Sequence, residues 1–433
     1  MLENVSLGLF LFYVAFIGIS WLVLGIFVWQ NRRKRTVVGK TEETPQVAVL
    51  LSLRGKDPWL EACLRGMARQ VYRPFRLVVI LDSPEDTAMG VIQKFRKQFP
   101  ECPTEIQILQ ERLTTCSLKC NSLIQAVNSL DTSFEIVAFL DSDIIPHPHW
   151  LEELVRPFQD SRVDFTTGYR WFLPTSGSCG SWVRYIWNVA SYVHVYLHGI
   201  LWGGSCAVRR EVLERLNLVE EWKTALSDDV VMTEKARRER CRIAWVPADL
   251  MVSQEECTLA FAYRWCSRQM LMIRLYSPVI WRRMMGMTLF VVLAQSLSFY
   301  LIYQAWRHQN TTAWWGAWGG LLFFWGMSLV MLLVLEKTAR KNVQIHQKVN
   351  SWYGFLSLFR LLWAVPLTIF SFSLGIFQAY FARTIQWRGI RYRIFSGKPI
   401  SIERLNYAPF SLKVLTEDHS EEKRGKPQTE SIW

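Results

Sequence analysis

The acids of this chain stand where acids do chemistry. Asp141-Ser142-Asp143 directly follows the apolar run Ile136-Val137-Ala138-Phe139-Leu140. Two carboxylates two positions apart, at the end of a buried strand, can reach a hard divalent cation, one directly and one through water. Mg2+ takes few carboxylates from protein and is usually completed by substrate phosphates. A metal held there would stabilise the charge of a departing diphosphate. The same triplet reads equally as capping acids ahead of a helix starting near Pro148, and both readings stand. Asp82 ends a second apolar run, Leu77-Val78-Val79-Ile80-Leu81. It is either an acceptor for a nucleotide base or ribose, or a turn residue before the next helix. Ser227-Asp228-Asp229 precedes a helical run over 230–240. An acid there is a helix cap or a general base that takes a proton from an acceptor hydroxyl.

Weaker signals surround these acids. Trp202-Gly203-Gly204-Ser205 would let backbone pass close to a ligand, although glycine pairs also make plain turns. Arg264-Trp265 lies in a stretch, 259–283, rich in aromatics and arginines. That is the pattern of a helix lying at a membrane interface, where the arginine can also meet a diphosphate. Residues 182–202 have the same character. His194 and His198 have the spacing of zinc ligands, but no Glu follows the first and no third ligand presents itself. They read as interfacial residues.

The elements that must position the acids are legible around them. Short apolar runs at 47–51, 77–81, 105–109 and 136–140 alternate with amphipathic segments at 59–70, 85–98 and 119–130. This alternation predicts an α/β domain with a mostly parallel sheet and crossover helices. In open sheets of this kind ligands sit at the carboxyl ends of the strands, which is where Asp82 and Asp141 fall.

Half of the 433 residues are hydrophobic, and the excess lies toward the two ends. Residues 6–29 form one apolar run long enough to span a bilayer. An acidic head at Glu3, the length of the run and the lack of a small-residue cleavage site set it apart from a signal peptide. Residues 286–306 and 313–335 predict a hairpin of two further spans. A last apolar stretch, 352–381, is broken by Arg360 and Pro366. It reads as one span that leaves the tail outside, or as a kinked re-entrant pair that keeps it inside, and the inside tail is preferred. The net charge of +13 is gathered at Arg32-Arg33-Lys34-Arg35, Arg282-Arg283, 337–348 and 383–393, each beside an apolar run. Such placement fits cytoplasmic loops at an anionic membrane surface. No nucleic-acid-binding module is recognisable, so nucleic acid is not an expected partner. Nine cysteines in no paired pattern predict free thiols. The end, from Glu417, is polar and expected to be disordered.

The order of these pieces is more specific than any one of them. The chain resembles the inverting, membrane-bound glycosyltransferases of GT-A fold, and within them the ceramide glucosyltransferase family. That family carries a lone Asp, then Asp-x-Asp, then an acidic pair whose second member is the base, then Gln/Arg-x-x-Arg-Trp. Here these fall on Asp82, on Asp141 with Asp143, on Asp229, and on Arg264-Trp265. Ser52-Leu53-Arg54-Gly55-Lys56-Asp57-Pro58, Lys119-Cys120-Asn121-Ser122-Leu123 and Trp387-Arg388-Gly389-Ile390-Arg391-Tyr392-Arg393 are similar too. The resemblance therefore runs from about residue 45 to 395.

What this resemblance implies is specific. Asp141 and Asp143 would hold Mg2+ or Mn2+. Asp82, Arg54, Lys119, Arg264 and Trp265 would bind a nucleotide-sugar donor such as UDP-glucose, and Asp229 would be the base toward a ceramide-like or other membrane lipid. The expected domains are an N-terminal anchor with its basic flank at 1–35, the transferase domain with interfacial helices at 36–284, a membrane cluster at 285–395 and a polar tail at 396–433. Phe261 departs from the motif, since a phenyl ring cannot make the hydrogen bonds of Gln or Arg; Arg268 or Gln269, one turn on, are candidate substitutes. The rivals are a processive polysaccharide synthase and a catalytically silent membrane scaffold of the same fold. The sequence carries no sign of oligomeric state.

Overall fold

The structure is a computed structural model, described here for residues 1–33, 44–347, 355–395 and 401–410. Its centre is a seven-stranded sheet built from β1 (Val47–Leu53), β2 (Phe75–Leu81), β3 (Thr104–Ile108), β4 (Ile136–Leu140), β5 (Phe165–Phe172), β6 (Ser205–Arg209) and β7 (Ile243–Ser253). The strand order is β3-β2-β1-β4-β6-β5-β7, and β6 alone runs antiparallel to its neighbours. The first four strands are the four apolar runs expected. In β1, β2 and β4 nearly every side chain is buried because helices cover both faces. Between β5 and β7 the register shifts near Gly168. A Cβ on Gly168 would lie 2.4 Å from the Asp249 carbonyl oxygen, so glycine is required where the two backbones approach.

The helices of this domain are α2 (Leu60–Ala68), α3 (Ala88–Gln98), α4 (Leu118–Asn128), α5 (Trp150–Val155), α6 (Cys179–Leu197), α7 (Arg210–Arg215), α8 (Leu218–Trp222), α9 (Asp228–Arg238) and α10 (Leu259–Tyr276); α1 (Leu2–Arg33) precedes them. Ser117 caps α4 by accepting from the Cys120 amide, and Thr258 caps α10 by accepting from the Phe261 amide. The free cysteines expected from sequence are all unpaired among the described residues.

Among the described residues, four helices are long and apolar enough to cross a membrane: α1, α11 (Pro278–Arg307), α12 (Thr311–Val343) and α13 (Phe355–Phe381). Helices α1, α11 and α12 pack together around Tyr13, Leu301 and Leu321. Helix α11 begins at Pro278, ahead of the expected boundary at 285. Helix α13 differs from these three. It is one continuous helix with Pro366 inside it rather than a kinked pair, and it packs against α10 and α6. Both of its ends touch the α/β domain. Near its start Arg360 donates to the Ser176 carbonyl at 3.5 Å, and at its end the Arg274 guanidinium holds the Tyr380 and Ala382 carbonyls. The chain after α13 therefore returns to the α/β domain. The first residues of that apolar stretch, 352–354, lie outside the described residues, as do Lys34 and Arg35.

The returning segment forms an antiparallel sheet of β8 (Thr384–Trp387), β9 (Ile390–Phe395) and β10 (Ser401–Leu405). The expected polar tail from 396 is thus structured over 401–410, because Ile402 and Arg404 are buried against the domain. The end from Glu417 lies outside the described residues.

A stack of histidines joins α12 to the domain. The ring of His346, just past α12, stacks on those of His147 and His149, each at 4.7 Å. His346 Nε2 lies 2.9 Å from Glu153 Oε1, and His147 Nε2 lies 3.3 Å from Asp249 Oδ1. Burial, then the neighbouring His346, pushes His147 down to about 3. Burial pushes the Asp249 carboxyl well above the usual range.

Candidate functional site

Strand β4 delivers Asp141 and Asp143 to the carboxyl edge of the sheet, and two basic side chains meet them there. Lys119, near the start of α4, donates to Asp141 Oδ1 at 2.8 Å. Arg170 on β5 holds both oxygens of Asp143, one of them at 2.8 Å. Burial would raise Asp143, but the Arg170 charge and its hydrogen bonds outweigh it and hold the carboxyl below the ordinary range. Lys119 also lies 3.2 Å from Asp228. Burial would lower the Lys119 pKa, yet Asp141, Asp228 and Asp229 together raise it, so the ammonium is firmly charged.

The glycine pair is more than a turn. A Cβ on Gly203 would stand 2.7 Å from Asp228 Oδ2, and one on Gly204 would stand 2.9 Å from Asp141 Oδ2. Only glycines let this backbone pass between the two groups of acids. The Gly203 amide donates to Asp229 Oδ2 at 3.0 Å. The other Asp229 oxygen accepts from the Ser227 hydroxyl and the Val230 amide. Asp229 is half-buried at the cavity wall, whereas Asp228 is 2% exposed. Burial, offset by Lys119 and reinforced by Asp229, pushes Asp228 up to about 6. Both acids belong to the first turn of α9, where a carboxylate also favours the helix dipole.

Asp82 departs from expectation. It is fully buried, and its oxygens are taken by the Arg54 guanidinium, the Tyr407 hydroxyl and the Phe410 amide. Tyr407 and Phe410 come from the tail beyond β10, and the Arg54 guanidinium lies 5.5 Å from each of their ring centroids. Arg54 lines the cavity described below, but in this conformation Asp82 does not face it.

The motif on α10 is also distributed unexpectedly. Trp265 lines the cavity, edge-on to Trp187 at 4.8 Å. Phe261 lines it too, with Arg184 of α6 at 5.8 Å from its ring centroid. Arg264 is exposed and does not line it, whereas Arg268 and Gln269 do. His194 and His198 line it rather than lying only at an interface. They stack on each other at 6.1 Å, and among the described residues no cluster of three or more His, Cys, Asp or Glu could hold a metal by itself.

One cavity of about 780 Å³ joins these groups. At one end stand Asp141, Asp143, Asp228 and Asp229. The other end is apolar and is walled by α1, α11, α12 and α13, through residues such as Val23, Val291, Leu332 and Ile369. Two carboxylates opening on such a space, each already facing a cation, fit a divalent ion whose remaining ligands come from phosphate oxygens. Sequence reasoning missed Arg170, Tyr407 and Phe410. Arg170 sits in an aromatic strand with no motif of its own, and the two tail residues lie in a segment read only as a polar tail.

The profile of glycosyl transferase family 21 matches residues 10–400. A stretch of 101 residues, 22% of this chain, is 26% identical to a ceramide glucosyltransferase of Komagataella phaffii and spans 20% of that relative's length. The mannosyltransferase PcManGT from Pyrobaculum calidifontis, solved in complex with GDP-Man and Mn2+, superposes with a TM-score of 0.49 at 16% identity, over 88% of this chain and 98% of that one. Glucosyl-3-phosphoglycerate synthase from Mycobacterium tuberculosis superposes with a TM-score of 0.34 at 16% identity, over 55% and 80% of the two chains. Both scores are below 0.5, and the family match carries the assignment.

Proposed function

Because the chain belongs to glycosyl transferase family 21, we propose that it moves one hexose, glucose from UDP-glucose, onto the hydroxyl of a ceramide-like or other membrane lipid. The GT-A domain would face the cytoplasm, with the basic cluster after α1 on the same side. The observation that carries this reading is the cavity that runs from the acids to the apolar faces of α1, α11, α12 and α13. An acid-lined end and an apolar end among membrane helices suit a lipid acceptor. A growing polysaccharide would need a polar path away from the site instead.

In this mechanism the chain's own residues orient and move charge. Asp229, half-buried at the cavity wall, takes the proton of the lipid hydroxyl. The freed oxygen attacks the anomeric carbon in line, and the configuration inverts. The Gly203 amide and the Ser227 hydroxyl hold the Asp229 carboxylate in place. Asp141 and Asp143 would hold Mg2+ or Mn2+, which supplies charge stabilisation for the departing nucleoside diphosphate. Lys119 pairs with Asp141, and Arg170 holds the Asp143 carboxyl below its ordinary range.

The test is transfer itself. Purified chain in lipid nanodiscs is incubated with UDP-glucose, Mn2+ and ceramide, diacylglycerol or a hopanoid alcohol. Lipid-linked glucose that disappears in Asp229→Ala supports the proposal. No donor turnover with any lipid, together with no metal-dependent nucleotide binding, would sink it.

A further inference from the structure

Helix α10 turns about 100° per residue. Seven residues bring the chain back to within about 20° of the same face, whereas three leave it about 60° away. Arg268 therefore stands two turns along on the face of Phe261, and Arg264 lies off that face. The structure agrees: Phe261, Trp265 and Arg268 line the cavity, and Arg264 is exposed.

The surroundings of Arg268 are unusual for an arginine. Among the described residues it has no carboxylate partner and no hydrogen bond. Its guanidinium lies 5.3 Å from the centroid of Trp387, at the tip of the β8–β9 hairpin. The other cations at this end of the cavity are engaged: Arg170 by Asp143, and Arg388 by Asp57 at 3.4 Å and the Ser142 hydroxyl at 3.5 Å. Burial, then repulsion from Arg388, pushes Arg268 down to about 10, while Asp143 and Asp141 pull the other way. A half-buried guanidinium that lines the cavity without a carboxylate partner from the protein can meet an anion there. Its planar fork suits the oxygens of a phosphate.

We propose that Arg268, backed by Trp387 and flanked by Arg388, is the anion subsite of this chain, and that it takes the terminal phosphate of the nucleoside diphosphate donor in place of the motif arginine Arg264. The proposal rests on the transferase reading above. In the transfer step the bond between the anomeric carbon and the phosphate oxygen breaks, and the bonding pair stays on that oxygen. The new bond forms to the lipid oxygen, whose proton goes to Asp229. Arg268 meets the charge that develops on the leaving phosphate.

The experiment compares the full chain with Arg268→Gln, Arg268→Lys and Arg264→Gln in phosphatidylcholine nanodiscs. Thermal unfolding is followed with Mn2+ alone, Mn2+ with uridine, and Mn2+ with UDP. UDP is expected to raise the midpoint of the parent and of Arg264→Gln, and to leave that of Arg268→Gln unmoved. Without nucleotide, Arg268→Gln should unfold at or above the parent temperature, since a half-buried charge with no carboxylate partner has been removed. A merely structural arginine would give the opposite shift. The turnover number should fall about 100-fold or more in Arg268→Gln, with partial recovery in Arg268→Lys.

An equal UDP shift in parent and Arg268→Gln, or a loss of it in Arg264→Gln, overturns the assignment while leaving the transferase reading intact. A parent that neither binds UDP nor transfers sugar overturns both. Nanodiscs with added phosphatidylglycerol form a further arm. Stabilisation that depends on Arg268 and on the anionic lipid, but not on UDP, reassigns the subsite to a lipid headgroup and overturns the diphosphate.

Discussion

The Asp82 carboxylate accepts a hydrogen bond from the hydroxyl of Tyr407, a residue 325 positions further along the chain. The same carboxylate is paired with Arg54, and the pair is almost fully buried. Removing one partner of such a pair leaves an uncompensated charge. Arg54→Ala is therefore expected to destabilise the chain by about 3–5 kcal/mol, and Tyr407→Phe by about 1 kcal/mol. Thermal unfolding of the detergent-solubilised variants measures both. Equal, small effects would mean that Asp82 is solvated and open to ligand after all.

Asp229 and Asp228 should separate by function. Asp229→Asn is expected to lower the turnover number by about 10²- to 10⁴-fold, with UDP binding retained. Asp228→Asn removes a carboxylate held 3.2 Å from Lys119 and should change donor affinity instead. Steady-state kinetics in UDP-glucose with a fixed lipid gives the two parameters separately. A large turnover loss in Asp228→Asn alone would reverse the roles.

The cavity makes a prediction about the acceptor. Ser328 on α12 and Ile369 on α13 line its apolar part, away from the acids. Ser328→Trp and Ile369→Trp should raise the apparent KM for the lipid several-fold and leave UDP affinity unchanged. Calorimetry with UDP and transfer assays over a lipid series test the split. Unchanged lipid kinetics in both variants would place the acceptor elsewhere.

The elements that could be read from sequence were those whose signal is local. Strands β1, β2 and β4 are continuous apolar runs because both of their faces are covered. Strand β5 reads Phe-Thr-Thr-Gly-Tyr-Arg-Trp-Phe, and β7 carries Pro247 and Asp249, so neither shows a clean period. Asp141, Asp143 and Asp229 were visible because each stands beside an apolar or helical run. The closing of Asp82 by Tyr407 was invisible, since the contact spans most of the chain and starts from a polar segment. The placement of Arg268 depended on how α10 meets the cavity, which a five-residue motif does not specify. Arg360 and Pro366 suggested a break in the last apolar stretch. The structure instead keeps one helix there and seats it on α6 and α10.

The histidine stack predicts a pH dependence with a definite sign. The folded chain keeps His147 neutral down to about 3, while the unfolded chain binds a proton below 6.5. The native state therefore loses stability as pH falls through that window, by at most about 1.4 kcal/mol per unit. Asp249 works in the opposite direction, because its raised carboxyl pKa makes stability fall as pH rises above 3.8. His147→Gln should remove the first dependence and keep the second. Unfolding midpoints between pH 4 and 7 (a range set by roughly the ordinary carboxyl and imidazole values) compare it with the parent. Parallel curves would contradict the assignment.

Single transfer of a hexose to a membrane lipid by in-line displacement inverts the anomeric centre, so the configuration of the product decides the proposed reaction. Product made from UDP-glucose by the purified chain in nanodiscs is extracted and its anomeric proton coupling read by NMR. One β-linked glucose per lipid is expected from the α-linked donor, and none when Asp229→Asn replaces the parent. An α-linked product, a polymer, or lipid left unglycosylated by a chain that binds UDP and Mn2+ would contradict it.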